Sequence, residues 1–68
     1  MRRQRVVSIS IASIGHEADV LEIEFNSGAI YQYKGVSRTT FDEFRHAESK
    51  GTYFIENIRD VYPHERVK

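Results

Sequence analysis

The first part of the chain alternates apolar and small polar residues, with the apolar positions at Val7, Ile9 and Ile11. A period of two predicts a half-buried strand over about residues 6–14. Gly15 is expected to end this strand, and residues 16–19 are expected to form a turn. The preceding residues 1–5 are basic and carry no apolar anchor, so we expect them to fray.

Two further strands are predicted on either side of Asn26-Ser27-Gly28. Residues 20–25 place Leu21, Ile23 and Phe25 on one face and Glu22 and Glu24 on the other, which indicates one buried and one wet face. The next strand contains Tyr31-Gln32-Tyr33 and ends near Lys34-Gly35.

The length of the loop between these two strands decides which of their side chains share a face of the sheet. A two-residue loop pairs Phe25 with Ile30 and sets both tyrosines beside the glutamates, whereas a three-residue loop pairs Phe25 with Ala29 and sets them beside Ile23 and Leu21. We favour the three-residue loop, with Gly28 in the left-handed region, because it gathers the large apolar side chains on one face.

The second half of the chain changes to a helical period. Phe41, Phe44 and Ala47 recur every three residues within 36–49, and the candidate N-caps are Ser37, Thr39 and Thr40. Gly51 is expected to stop this helix, and Thr52 to cap a second helix that ends near Val61, before Pro63. The stripe of the second helix comprises Phe54, Ile55, Ile58, Val61 and Tyr62.

These elements predict an α+β domain, a three-stranded antiparallel β-meander followed by two α-helices packed on one face. The 68 residues form one domain, with its ordered part at about 6–62, a basic N-terminal arm at 1–5 and a loose C-terminal tail at 63–68. The composition, 40% hydrophobic and 29% charged with no cysteine, suits a globular domain and excludes disulfides and thiolate chemistry. No apolar run is long enough to span a bilayer, so we expect a cytoplasmic protein without a membrane partner.

Catalytic and metal-binding chemistry finds little support in the residues. Glu22 and Glu24 are expected to be solvated, and His16, His46 and His64 lack the spacing of metal ligands. No nucleophile elbow or phosphate-binding glycine loop is present. We therefore expect no enzyme activity, no metal and no cofactor.

The aromatic and basic residues suggest one chemical function, the binding of nucleic acid. Two tyrosines at i and i+2 on an exposed sheet face could stack bases, although the preferred register makes Tyr31 and Tyr33 core residues. The turn Ser49-Lys50-Gly51 serves equally as a helix stop or as a phosphate contact. The candidate nucleic-acid-binding residues are Tyr31, Tyr33, Lys34, Arg38, Lys50, Tyr53 and Arg59.

From Ser10 to about Tyr62 the chain resembles the KTSC domain, named for its occurrence at the C-terminus of some lysyl-tRNA synthetases. The matching pieces are Ser13-Ile14-Gly15, Leu21-Glu22-Ile23 with Phe25 and Gly28, Tyr31-Gln32-Tyr33, Gly35-Val36, Ala47-Glu48-Ser49-Lys50-Gly51 with Tyr53-Phe54, Ile58, and Tyr62-Pro63. Ser37 replaces a proline that is common in the family.

The resemblance implies a small stand-alone bacterial or phage-type protein of unknown function, and RNA binding has been suggested for the family. We therefore expect a non-enzymatic accessory module whose candidate partner is RNA or another nucleic acid. The alternative is a protein-interaction or self-associating module that pairs through the strand edge at residues 6–14, because a core this small gains stability from a partner.

Overall fold

The computed structural model describes residues 1–68 and contains five strands and two helices. The strands are β1 (Gln4–Arg5), β2 (Ile11–Glu17), β3 (Val20–Phe25), β4 (Ile30–Lys34) and β5 (His64–Arg66), and the helices are α1 (Arg38–His46) and α2 (Lys50–Asn57). All neighbouring strands pair antiparallel, in the spatial order β1-β2-β3-β4-β5. The α+β class with two helices is confirmed, and the expected number of three strands is wrong.

Both extra strands lie in segments that were expected to be loose. The arm pairs Gln4 with Ile14 and Arg5 with Ser13, and the tail pairs Tyr33 with His64. Hydrogen bonds between backbone groups hold these strands. Their two or three residues are polar and exposed, so no alternation of apolar and polar positions marks them in the sequence. Periodicity could not reveal them for this reason.

The first predicted strand begins too early. Residues 6–10 form a loop between β1 and β2, where the Ser8 hydroxyl accepts hydrogen bonds from the backbone N–H groups of Ser10 and Ile11 at 3.3 Å. Gly15 lies inside β2 instead of ending it, and the turn narrows to Ala18 and Asp19, both with positive φ. A two-residue turn with both residues left-handed matches the twist of the flanking strands.

The three-residue loop at 26–28 is confirmed. The Phe25 N–H donates to the Ala29 carbonyl at 2.9 Å, Gly28 has φ +97°, and β3 pairs Ile23 with Tyr31. Tyr33 consequently lies opposite Leu21 on the apolar face.

The helices cover the apolar face of the sheet. The core comprises Ile11, Ile14, Leu21, Ile23, Tyr33, Val36, Phe41, Phe44, Phe54 and Ile58. Burying one large apolar side chain of this kind contributes roughly 1.5–3 kcal/mol, so these contacts position the helices firmly on the sheet.

Ser37 and Ser49 set where the helices begin. Each hydroxyl accepts a hydrogen bond from the backbone N–H three residues later, as an N-cap does. The second helix therefore begins at Lys50 and not after Thr52, and Gly51 lies in its first turn instead of stopping the first helix. α2 also ends earlier than predicted, at Asn57, and leaves Val61 exposed.

Candidate nucleic-acid interface

The basic residues predicted to contact phosphates do not form one surface. Lys34 pairs with Glu65 at 3.4 Å, and Arg59 pairs with Asp60 at 3.5 Å. The Lys50 ammonium donates to the Ala47 carbonyl at the end of α1. The fold thus directs these cations to separate partners, and Arg38 alone remains at a cleft with other arginines.

The aromatic candidates are also placed by the fold. Tyr33 is only 3% exposed and packs edge-on against Phe54, while the half-buried Tyr31 lies between Phe25 and the ring of His64. Tyr33 is enclosed in the core, as the preferred register predicted, so its ring is not placed to stack on a base. Burial raises the pKa of the Tyr33 hydroxyl to about 12.

Tyr53 belongs to the contact between the two helices. Its ring stacks on Phe44, and its hydroxyl donates to the Glu43 carboxylate at 3.0 Å. Burial is the main reason that the pKa of Tyr53 is raised to about 12, and the hydrogen bond to Glu43 is the second. Tyr53 is half-buried and holds α2 against α1. Packing between the helices therefore explains its position without a ligand.

A cleft of about 260 Å³ lies between the N-terminal arm and the start of α1. We call it the arginine cleft; its lining residues are Arg2, Arg3, Gln4, Ile14, Gly15, His16, Arg38 and Phe41. Three arginine residues and one histidine thus line one depression of the surface. Arg2, Arg3 and His16 were not among the predicted site residues.

Gly15 and a polar network hold the arm beside this cleft. A Cβ atom at Gly15 would stand 2.4 Å from the Arg2 carbonyl oxygen and 3.0 Å from Arg3 Cγ, so only glycine lets the arm lie this close to β2. Arg3 crosses above Gly15, donates to Ser13 Oγ at 2.9 Å and forms an ion pair with Glu22.

Glu22 is buried on the sheet face opposite the helices, where Gln32 also donates to its carboxylate at 2.8 Å. Burial disfavours the charged carboxylate, but the hydrogen bonds from Gln32 and Arg3 and the Arg3 charge outweigh it and lower the pKa of Glu22. The expectation that Glu22 is simply solvated is wrong, because Arg3 and Gln32 cover it.

Two arginines of α1 share one carboxylate at the other side of the cleft. Arg38 Nε lies 3.2 Å and Arg45 Nη2 lies 3.1 Å from Asp42 Oδ1, and both guanidinium groups lie over the ring of Phe41. Desolvation opposes the charged form of Asp42, but Arg38 and then Arg45 lower its pKa. One carboxylate cannot neutralise two guanidinium groups, so this end of the cleft keeps positive charge.

His16 is held in a defined orientation at the floor of the cleft. Its Nε2 lies 2.7 Å from the Val36 carbonyl oxygen, and its ring stacks on Phe41 with the ring centroids 5.2 Å apart. Because a carbonyl oxygen only accepts hydrogen bonds, Nε2 carries the hydrogen. Nδ1 then carries no hydrogen and has no hydrogen-bond partner within the chain.

The structure contains a second depression, of about 610 Å³, between the loop at 6–10 and the start of α2. We call it the loop groove; it is lined by Val7, Ser8, Ile9, Ser10, Glu48, Ser49, Lys50, Gly51, Thr52 and Ile55. Ser49, Lys50 and Gly51, which sequence reasoning considered as a phosphate contact, lie here and not at the arginine cleft. No group of three His, Cys, Asp or Glu side chains is placed to hold a metal ion, and neither helix is long and apolar enough to cross a membrane.

The fold and the two depressions define a small α+β domain that carries one basic cleft and one groove of mixed apolar and polar lining. The model of the KTSC domain family matches residues 7–62. The chain belongs to the KTSC domain family, as the resemblance in its residues implied.

Solved and curated relatives agree with this assignment. A crystal structure of a KTSC domain protein from Yersinia pestis superposes with a TM-score of 0.94 at 36% identity, covering 98% of this chain and 97% of that one. An uncharacterized protein of Stutzerimonas stutzeri (strain A1501) is 38% identical over 56 residues, covering 79% of each chain.

A lysine–tRNA ligase from Nostoc sp. (strain PCC 7120) is 40% identical over 47 residues, and one from Trichormus variabilis is 38% identical over the same length. The match covers 69% of this chain but 8% of each ligase. The similarity therefore concerns a small region of each ligase.

Proposed function

We propose that the protein is a non-enzymatic accessory module that binds RNA through the phosphates of its backbone, at the arginine cleft. The observation that carries the proposal is the meeting of Arg2, Arg3, Arg38 and His16 at one depression. Guanidinium groups match phosphate oxygens in charge and in the geometry of their hydrogen bonds.

The charge balance around the cleft supports an anionic ligand. Arg3 is neutralised by Glu22, and Asp42 is shared between Arg38 and Arg45, whereas Arg2 has no ion pair. The surface thus has a local positive excess although the whole chain has a formal net charge of zero. Such a local excess attracts a polyanion even where the protein as a whole is neutral.

The size of the cleft and the burial of Tyr33 favour backbone contacts over base recognition. About 260 Å³ lies below the roughly 300–1,000 Å³ of pockets that enclose drug-sized ligands, so the cleft suits a phosphate better than an extruded base. Phosphate contacts position a nucleic acid but carry no sequence information. We expect binding with steep salt dependence and little preference for base sequence.

Our choice of RNA class rests on two of the relatives. Both are lysine–tRNA ligases, whose name states that they act on transfer RNA. The region that matches these ligases makes up most of this chain. We therefore propose structured RNA such as tRNA as the first ligand to test. The domain would then bind RNA without a catalytic centre of its own.

The proposal is tested with paired charge-removal variants. We expect labelled tRNA to bind the protein, and the double variant Arg2→Gln/Arg38→Gln to bind more weakly and to lower the slope of log K against log salt by about 1.4–1.8, the value for two lost phosphate contacts. Fluorescence anisotropy over a salt series gives both quantities. Lys34→Gln/Arg59→Gln is the matched control, since it removes the same charge from outside the cleft.

The control should retain nearly the parent affinity and slope. Equal losses in the two double variants would show that only total charge matters, and the cleft would then be the wrong surface. Absence of binding by the parent protein at low salt would overturn the RNA proposal itself.

A further inference from the structure

The loop at 6–10 exposes two large apolar side chains although its backbone is firmly held. Val7 is 99% exposed and Ile9 is 100% exposed. The Asn26 side-chain amide donates to the Ile9 carbonyl at 2.7 Å, and the Asn26 N–H donates to the Ser10 carbonyl at 2.8 Å. The loop is thus an ordered projection, and its apolar side chains find no cover within the chain.

The loop groove lies directly beside this projection. A Cβ atom at Gly51 would stand 3.3 Å from Ser10 Oγ, so the first turn of α2 approaches the loop at the floor of the groove. Ile55, 52% exposed, adds a third apolar side chain to the lining. Val7, Ile9 and Ile55 are thus the three apolar side chains of a groove of about 610 Å³ whose other lining residues are polar or glycine.

We propose that this surface binds the same surface of a second copy of the chain, in a two-fold symmetric dimer. A two-fold interface must be self-complementary, because every residue i that contacts j is matched by j contacting i. Val7, Ile9 and Ile55 of each copy would pack against the same three side chains of the other. The reciprocal arrangement buries the projections of both copies at once.

The charges at the groove agree with a second copy as the occupant. Glu48 and Lys50 both line it, and in a symmetric pair Glu48 of one copy can meet Lys50 of the other at two equivalent contacts. The zero formal net charge also removes long-range repulsion between copies. An RNA occupant fits poorly, because the groove contains no arginine and the carboxylate of Glu48 offsets the charge of its single lysine.

The dimer is tested by sedimentation velocity from low micromolar to millimolar protein. We expect a reversible increase of mass with concentration, and at least a tenfold weaker association in Val7→Ser/Ile9→Ser, about 1.4 kcal/mol or more. Both side chains are fully exposed in one copy, so the variant should fold like the parent. Val61→Ser is the matched control, since Val61 is 62% exposed but does not line the groove.

A charge-exchange experiment tests the reciprocal contact. Glu48→Lys and Lys50→Glu should each weaken self-association, because like charges then meet at both contacts, while an equimolar mixture should associate more tightly than either variant alone. Thermal unfolding of each variant controls for the loss of the Lys50 hydrogen bond to α1.

A parent protein that stays monomeric at millimolar concentration would overturn the proposal and leave the groove to a different occupant. Equal weakening by Val61→Ser and Val7→Ser/Ile9→Ser would also overturn it. Neither result depends on RNA binding, which uses the arginine cleft.

Discussion

At the scale of single residues, Gly15 and Glu22 connect the sequence to the proposed site. Gly15 leaves room for the backbone of Arg2, and Glu22 anchors Arg3 from the neighbouring strand. The sequence suggested different roles, a strand end for Gly15 and a solvated carboxylate for Glu22. Their actual roles depend on the arm lying across β2, which no pattern in such a short segment could indicate.

We expect Gly15→Ala to destabilise the protein by about 1–3 kcal/mol, because the added methyl group collides with the Arg2 carbonyl and forces the arm to shift. Urea unfolding measures the change. Gly51→Ala is the contrasting control: its methyl group meets only the movable Ser10 hydroxyl, and alanine is the better helix former by up to about 1 kcal/mol. Equal stability of Gly15→Ala and the parent would contradict the close packing of the arm.

Glu22 makes stability depend on pH in a defined direction. Its pKa lies below the ordinary value of 4.5, so the charged carboxylate contributes stability that is present above that pH and is lost as pH falls through the lowered pKa. Glu22→Gln should lower the free energy of unfolding at pH 7 by about 1–3 kcal/mol, through loss of its charged hydrogen bonds.

The difference between Glu22→Gln and the parent should shrink at low pH, where the parent carboxyl is also neutral. Urea unfolding at neutral and acid pH measures both differences. The free energy of unfolding of Glu22→Gln should fall less at acid pH than that of the parent. It should still fall, because Asp42 also has a lowered pKa. A difference that is the same at both pH values would exclude the charge of Glu22 as its cause.

At the scale of the elements, the predictions succeeded where apolar periodicity and turn chemistry agree. The loop at 26–28 and the strands on either side of it follow from a clean alternation joined by a glycine turn. Periodicity failed at residues 6–10, where Val7 and Ile9 alternate with serine in a loop that exposes both. It also failed for Val61, which follows the helical stripe in sequence but lies beyond the end of α2.

The serine caps explain the helix boundaries and can be tested directly. Ser37→Ala and Ser49→Ala should each cost about 1 kcal/mol, because each removes the acceptor for a free N–H in the first helical turn. Thr39→Ala is the control, as Thr39 is exposed in α1 and does not act as its cap. Chemical unfolding compares the three, and a cost for Thr39→Ala as large as for the serines would argue against capping.

At the scale of the whole molecule, the sequence indicated the family and the α+β class, while the site came from the three-dimensional arrangement. Arg38 was predicted to contact phosphate and does line the cleft, but Lys34, Lys50 and Arg59 lie elsewhere. Arg2 and Arg3 reach the cleft only because β1 joins the sheet. The molecule thus has two separate depressions, and we propose that the basic one binds RNA and the other binds a second copy.

The most direct test of the RNA proposal is an NMR titration of the labelled protein with unlabelled tRNA, followed through the backbone amide signals. The proposal predicts that the largest changes cluster at Arg2, Arg3, His16 and Arg38, with small changes at Lys34 and Arg59. Changes centred on the loop groove, or an even spread over all basic residues, would contradict binding at the arginine cleft.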